Sequence, residues 1–402
     1  MRIVFVTTEF VTEAYYSGGL ANYLHRLSLA LAGMGHDIHV ILPASGAPGE
    51  RGAGKIRIHD VSPATLPFWA RAVIRMVPGD SRGWLGFAAA AWRQLEALHK
   101  AAPVDLVQVT NLQACGVLIV HYSAVPHLTR LSSLPEWERQ WVRPVRRWAD
   151  RVGDWLEHLQ IRRSRNLCAP SRTLAASAER HHAGRVEVLR SPAFIETEDV
   201  DRDWAARTLG DRPYLLFVGR LEPRKGAHVL GQALPAVFRA HPDCEAVFAG
   251  QDRPDPAGRS VKAQIREWCH GFESRLHFLG ELPHVRLYGV MERARLVVLP
   301  SLADNLPNAM LEAMCLGRPV VGTIGVSFDE VIEDGRSGFL IPPGDPAALA
   351  AKLVEAWTHP ELDRIGAAAR AAMEPFARDV TIRSHLEHYA RIVGGQRPSG
   401  GA

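Results

Sequence analysis

The 402-residue chain predicts an α/β protein built from two Rossmann-like, doubly wound parallel-sheet domains that face a central cleft. Length is the first reason: the chain exceeds one ordinary core and suits two domains of roughly 180 to 200 residues. The second is a strand-loop-helix-strand opening, and the third is a fresh series of the same kind past the middle of the chain.

Residues 2–7 form a short apolar run fit for a buried parallel strand, which Tyr16, Ser17, Gly18 and Gly19 break. Leu20, Leu24, Leu27, Leu31 and Met34 then share one helical stripe, and residues 37–42 give the next strand. A helix through 85–98 and strands at 106–109 and 125–131 continue the alternation, and the domain is expected to end near 168–171 and the helix after it. Residues 188–203 hold a proline and a run of acids without periodicity, so the linker falls there. The second series starts at 214–220 and continues through strands at 246–249, 276–279, 296–299 and 319–321. The resulting division is 1–190 for an N-terminal domain and 191–375 for a C-terminal one. A helical segment, 376–402, is expected to pack back on the first.

Composition narrows the class. Apolar residues at 47% and charged residues at 22% describe a soluble globular chain. A net charge of +4 with no basic module argues against a nucleic-acid role. Cys115, Cys168, Cys244, Cys269 and Cys315 are odd in number, widely spaced and never in a C-x-x-C pair, which suits reduced thiols and neither zinc nor disulfides. The N-terminus lacks a leader pattern, and no apolar stretch reaches the ~20 residues that span a bilayer. A cytoplasmic protein is expected, with the inner face of the membrane open as a location. That opening comes from Trp137, Trp141, Trp148 and Trp155, which share one helical face with Arg139, Arg143, Arg146, Arg147 and Arg151 interleaved. Two readings fit: contact with an anionic membrane or a bulky acceptor, or tryptophans packed on the domain with solvated arginines.

The chemistry-bearing signal is densest at residues 299–319. A strand end and loop lead into a helix, with Pro307 suited to its first turn, Gly317 to the left-handed cap and Pro319 to a position beyond. A helix N-terminus placed there offers backbone N–H groups and a positive dipole end to a diphosphate. Asp304 and Glu312 bracket it eight residues apart, at most ~12 Å on a helical rise. One carboxylate can then hold sugar hydroxyls and the other ribose hydroxyls; the alternative is a capping aspartate and a solvated glutamate. The second element, residues 219–226, sets Arg220 at a strand end and Lys225 at a helix mouth, placed to neutralise two phosphates. In a metal-free transfer whose leaving group is a diphosphate, that neutralisation is the main catalytic effect, because charge accumulates on the departing group.

Together these elements resemble the retaining glycosyltransferases of family four, of GT-B fold, closely from about 214 to 350 and loosely in the N-terminal half. The family's E-x7-E motif here begins with Asp304, one methylene shorter. The resemblance implies that Arg220 and Lys225 bind the diphosphate and Glu312 the ribose. Asp304, Asn305, Leu306, Pro307 and Asn308 would face the sugar and phosphates. It implies too that Gly18 and Gly19 form the glycine loop reaching the diphosphate from across the cleft, that the backbone near Leu282 edges the base, and that 328–340 is a structural closing segment. Where many members carry a histidine, Ser132 stands, so His127 or Arg130 substitutes or the role is absent. The donor is expected to be a UDP- or GDP-sugar, with no other cofactor and no metal. The acceptor is a saccharide, glycolipid or small molecule, in cell-surface polysaccharide or glycolipid assembly or in natural-product synthesis. A non-catalytic nucleotide-sugar-binding or scaffold protein is the rival. Asp199, Asp201 and Asp203 match D-x-D but sit in the linker, and His181, His182 and His277 read as solvated or structural.

Overall fold

In the computed structural model, residues 1–11, 18–63, 66–136, 148–180, 184–195 and 200–396 are described. The apolar opening becomes a strand whose Ile3, Val4, Phe5 and Val6 are fully buried, because a parallel strand is covered on both faces and carries no solvent side. From it grows the first of two compact units, which takes in Met1–Arg139, Pro144–Pro192 and then Asp379 onward.

The strands of this unit are β1 (Arg2–Val6), β2 (Asp37–Pro43), β3 (Gly49–Ala53), β4 (Ile56–Val61), β5 (Leu106–Thr110), β6 (His127–Arg130), β7 (Leu167–Ala169) and β8 (Val186–Val188). Its helices are α1 (Gly19–Gly33), α2 (Phe68–Arg75), α3 (Ser81–Ala101), α4 (Val117–Tyr122), α5 (Trp148–Arg163) and α6 (Arg172–Glu179). The strand order is β3-β4-β2-β1-β5-β6-β7-β8, with only the β3–β4 edge pair antiparallel among the described residues. The order reverses between β1 and β5, and the glycine loop and the turn after β5 both lie at that point.

The second unit, Ala193–Arg378, contains β9 (Tyr214–Val218), β10 (Glu245–Ala249), β11 (Leu276–Gly280), β12 (Leu296–Val298), β13 (Val320–Thr323) and β14 (Phe339–Ile341). Between and around them run α7 (Arg202–Leu209), α8 (Ala227–Ala240), α9 (Val261–Trp268), α10 (His284–Arg293), α11 (Asn308–Cys315), α12 (Pro346–Trp357) and α13 (Leu362–Ala371). All strands are parallel in the order β11-β10-β9-β12-β13-β14, the 3-2-1-4-5-6 arrangement of a mononucleotide-binding fold. Two cores, one on each face of the sheet, account for its near-continuous apolar strands.

The last helix, α14 (Arg378–Gln396), belongs from Asp379 onward to the first unit, where Ile382, Tyr389 and Ile392 join the core of β1 and α1. Asp201 accepts from the Trp204 N–H and caps α7, which gives that acid of the D-x-D run a structural task; Asp199, His181 and His182 lie outside the described residues.

Candidate active site

In an open parallel sheet a ligand binds beyond the carboxyl ends of the strands where their order reverses. In the second unit that point lies between β9 and β12, and the two sequence motifs are the loops that follow those strands. The loops are pressed together. Gly226 has φ +71°, and a Cβ there would stand 1.8 Å from the Pro300 carbonyl oxygen. The Leu302 N–H donates to the Arg224 carbonyl at 2.8 Å.

This approach joins side chains far apart in sequence. Lys225 Nζ donates to Asp304 Oδ2 at 2.6 Å, and Ser301 Oγ donates to the same oxygen at 3.1 Å. The Asn305 N–H donates to Asp304 Oδ1 at 3.0 Å. Arg224 donates to the Ala303 carbonyl and to Glu222, and its Nη1 stands 4.0 Å from Asp304 Oδ1. Burial pushes the Asp304 carboxyl up, but Lys225, Arg224 and the Asn305 N–H outweigh it and hold the group below the usual carboxylate range. Burial pulls the Lys225 ammonium down, and Asp304 offsets part of that pull. Arg220 is different: its side chain is 52% exposed, with Nη2 3.3 Å from Glu222.

Asp304 is therefore neither a helix cap nor an exposed acid; its carboxylate is held by Lys225. The residue before α11 is Pro307, one position earlier than its expected place in the first turn, and no side chain caps the helix. Leu306 has φ +51°, and its N–H donates to Ser327 Oγ at 2.7 Å, which fixes the loop below the helix tip. Gly317 has φ +68°, the left-handed position expected of it.

Glu312 is buried rather than solvated. Tyr288 Oη donates to its Oε1 at 3.3 Å, and His284 Nε2 lies 3.9 Å from the same oxygen. Both come from α10, which begins just after Leu282 and Pro283, so Glu312 and Leu282 border one region. Sequence reasoning missed His284, Tyr288, Ser301, Ser327 and the part played by Arg224. The i, i+4 spacing of His284 and Tyr288 behind Leu282 was the one usable signal.

In the first unit, Gly18 and Gly19 open α1; Gly18 is half-buried, and a Cβ on it would meet Glu9 Oε2 at 2.9 Å. The three candidates near β6 separate. His127 begins the strand, buried, within hydrogen-bond reach of the Arg165 N–H, and stands at the end away from ligand-binding loops. Arg130 is buried with its guanidinium 3.5 Å from the centre of the Tyr23 ring, donating to Leu189 O and Ser191 Oγ. Both are thus engaged by contacts within the first unit. Ser132 lies beyond the carboxyl end of β6, where its N–H donates to Asn111 Oδ1 at 2.9 Å. Asn111 also donates to Ser133 O and towards Glu157, and Gln113 and Ala114 beside it have positive φ. Trp148 and Trp155 are exposed, which excludes packing for these two; Trp137 and Trp141 lie outside the described residues.

Comparison with known proteins agrees with this anatomy. Residues 17–192 match the family model "Glycosyltransferase Family 4", and residues 212–359 match "Glycosyl transferases group 1". An alpha-D-kanosaminyltransferase of Streptomyces kanamyceticus is 29% identical over 243 residues, 58% of this chain; the match spans only 61% of that relative. Sucrose-phosphate synthase of Thermosynechococcus elongatus superposes with a TM-score of 0.78 at 18% identity, covering 98% of this chain and all of the other. Anabaena Alr3699/HepE, solved in complex with UDP, gives 0.69 at 20% identity, covering 97% of this chain and all of that one. Two parallel α/β units with a cation-bearing loop at the switch point of the second define the GT-B class. The chain belongs to the family-four glycosyltransferases.

Proposed function

We propose that this protein transfers a sugar from a nucleoside-diphosphate sugar to a hydroxyl acceptor, with retention of configuration and without a metal. The observation that carries this is the cluster Arg220, Arg224 and Lys225 at the β9/β12 switch point, beside the uncapped N-terminus of α11. Exposed Arg220 meets the diphosphate first, while Lys225, steadied by Asp304, adds the second positive charge. Glu312, aligned by Tyr288, takes the ribose hydroxyls, and the backbone near Leu282 edges the base.

In the reaction the bond from the anomeric carbon to the β-phosphate oxygen breaks, and the acceptor oxygen bonds to that carbon on the same face. The acceptor proton passes to the departing phosphate oxygen, so a nucleoside diphosphate leaves. Preorganised cations and helix N–H groups act where this negative charge develops. UDP is the first base to test, because Anabaena HepE binds it; GDP is the second. The acceptor is a saccharide, glycolipid or small natural product, the last in keeping with the kanosaminyltransferase likeness.

The test is incubation with UDP- and GDP-sugars, reading free sugar and nucleoside diphosphate. Slow donor hydrolysis that Arg220→Ala abolishes supports the reading. Tight donor binding without any release of sugar instead identifies a binding or scaffold protein, which the Lys225–Asp304 contact would favour by keeping the ammonium engaged.

A further inference from the structure

Helix α2 sits on the first unit in a way that its sequence alone does not explain. Ala70 and Ile74, four residues apart, pack on the core beneath α3, so one stripe of the helix is inward. A second, outward stripe is apolar too: Trp69 is 71% exposed, Val73 58% and Met76 84%, at spacings of four and three, with Phe68 beside them at 74%. A soluble helix presents charge on its outer face, and a contiguous exposed apolar stripe marks an interaction surface.

The patch extends beyond α2. A Cβ on Gly79, in the turn after α2, would lie 3.1 Å from Ala149 Cβ, and a Cβ on Gly153 would contact Trp84 of α3. These approaches set the first turns of α5 beside the end of α2, so exposed Trp148 and, two turns on, Trp155 continue the same apolar ground. Arg71 and Arg75 flank the stripe, and among the described residues neither forms a salt bridge with an acid. Arg71 Nε is buried without a hydrogen-bond partner. Large rings with unpaired arginines, on helices too short to span a bilayer, suit a surface that is apolar within and negative at its boundary.

We propose that α2 and the start of α5 form a docking surface for an anionic lipid bilayer, with Trp69, Val73, Met76 and Trp148 entering the interface and Arg71 and Arg75 on the headgroups. This goes beyond the sugar-transfer reading and does not depend on it. The measurement is co-sedimentation of the full chain with vesicles of phosphatidylcholine alone or mixed with phosphatidylglycerol, at low and high salt. Binding should require phosphatidylglycerol, weaken with salt, and fall about tenfold or more with Trp69→Glu or Val73→Glu. Arg71→Gln and Arg75→Gln should each cost about fivefold. The tryptophan and valine substituted are exposed, so circular dichroism and melting should stay unchanged. Absent binding, or binding indifferent to these substitutions, overturns the proposal. So does light scattering that shows a dimer in solution which Trp69→Glu dissociates, since the patch would then be covered by a second copy.

Discussion

At the scale of single residues, exposure separates the cations of the switch point by the damage their loss should do. Arg220 keeps half its side chain in solvent and pairs loosely, so Arg220→Ala should leave the melting temperature nearly unchanged, an effect within about 0.5 kcal/mol. On the proposed function its turnover should fall by about two to three orders of magnitude, the usual cost of losing one charge-stabilising donor. Lys225 and Asp304 should behave differently, because each is the other's main counter-charge in a largely buried place. Lys225→Met leaves a buried carboxylate, and Asp304→Leu a buried ammonium. Breaking a fully buried pair costs about 3–5 kcal/mol, and the ammonium's residual exposure reduces this to about 2. The double variant should recover most of that loss in denaturant titration while staying inactive. If both singles are as stable as the parent, the pair contributes no stability. The Asp304 carboxyl is held below its ordinary 3.8, so its own contribution is present above that pH and is lost as the pH falls through the lowered value.

At the scale of elements, the site depends on two loops meeting, and Gly226 is where they meet. A methyl group at that position has no room against the Pro300 carbonyl, and the left-handed φ adds strain. Gly226→Ala should therefore displace the turn carrying Arg224 and Lys225. Donor affinity measured by calorimetry should drop at least about tenfold, while Gly258→Ala, at positive φ in open space, should leave affinity unaltered although it too loses some stability. These elements also show what was legible in advance. The long helices were read well because Leu24, Leu27 and Leu31 of α1, or Leu230, Leu234 and Val237 of α8, repeat at the period of a buried stripe. The edge strand β3, with sequence GERGA, has no apolar alternation, and β7, β8 and β14 have three residues each, too few for a period to register. The outer face of α2 could not be read, because an exposed apolar stripe and a buried one have the same spacing. The site motifs themselves were visible as strand-loop-helix punctuation. The Lys225–Asp304 contact, spanning 79 positions, was not, since it exists only once crossovers place β12 beside β9.

At the scale of the molecule, histidine burial sets the acid limit of stability. In the first unit, His39 Nδ1 lies 2.8 Å from His59 Nε2 between neighbouring strands, and burial lowers His39 to about 4. His385 of α14 shares one ring nitrogen with the Tyr23 hydroxyl at 3.0 Å and the other with Thr381 O, and burial with Arg130 nearby lowers it to about 3. Tyr23 accepts from Gln108, which accepts from Tyr389, so a charge on His385 would strike the network joining α14 to α1 and β5. His25, His59, His127, His228 and His388 are likewise lowered, chiefly by burial; His158, raised by its bond to Glu136, opposes them. Each lowered histidine stays neutral when folded but takes a proton in the unfolded chain near its ordinary 6.5. Folding stability is therefore fully present above that pH and declines as acid is added, by up to about 1.4 kcal/mol per pH unit for each group in its window. Between roughly pH 6.5 and 5, where most carboxylates remain ionised, this decline belongs to the histidines. Denaturant midpoints should be level above neutrality and fall across that interval. His385→Gln, which keeps an acceptor for Tyr23, should lessen the slope, and a slope identical to the parent's would show that α14 is held without regard to the proton on this ring.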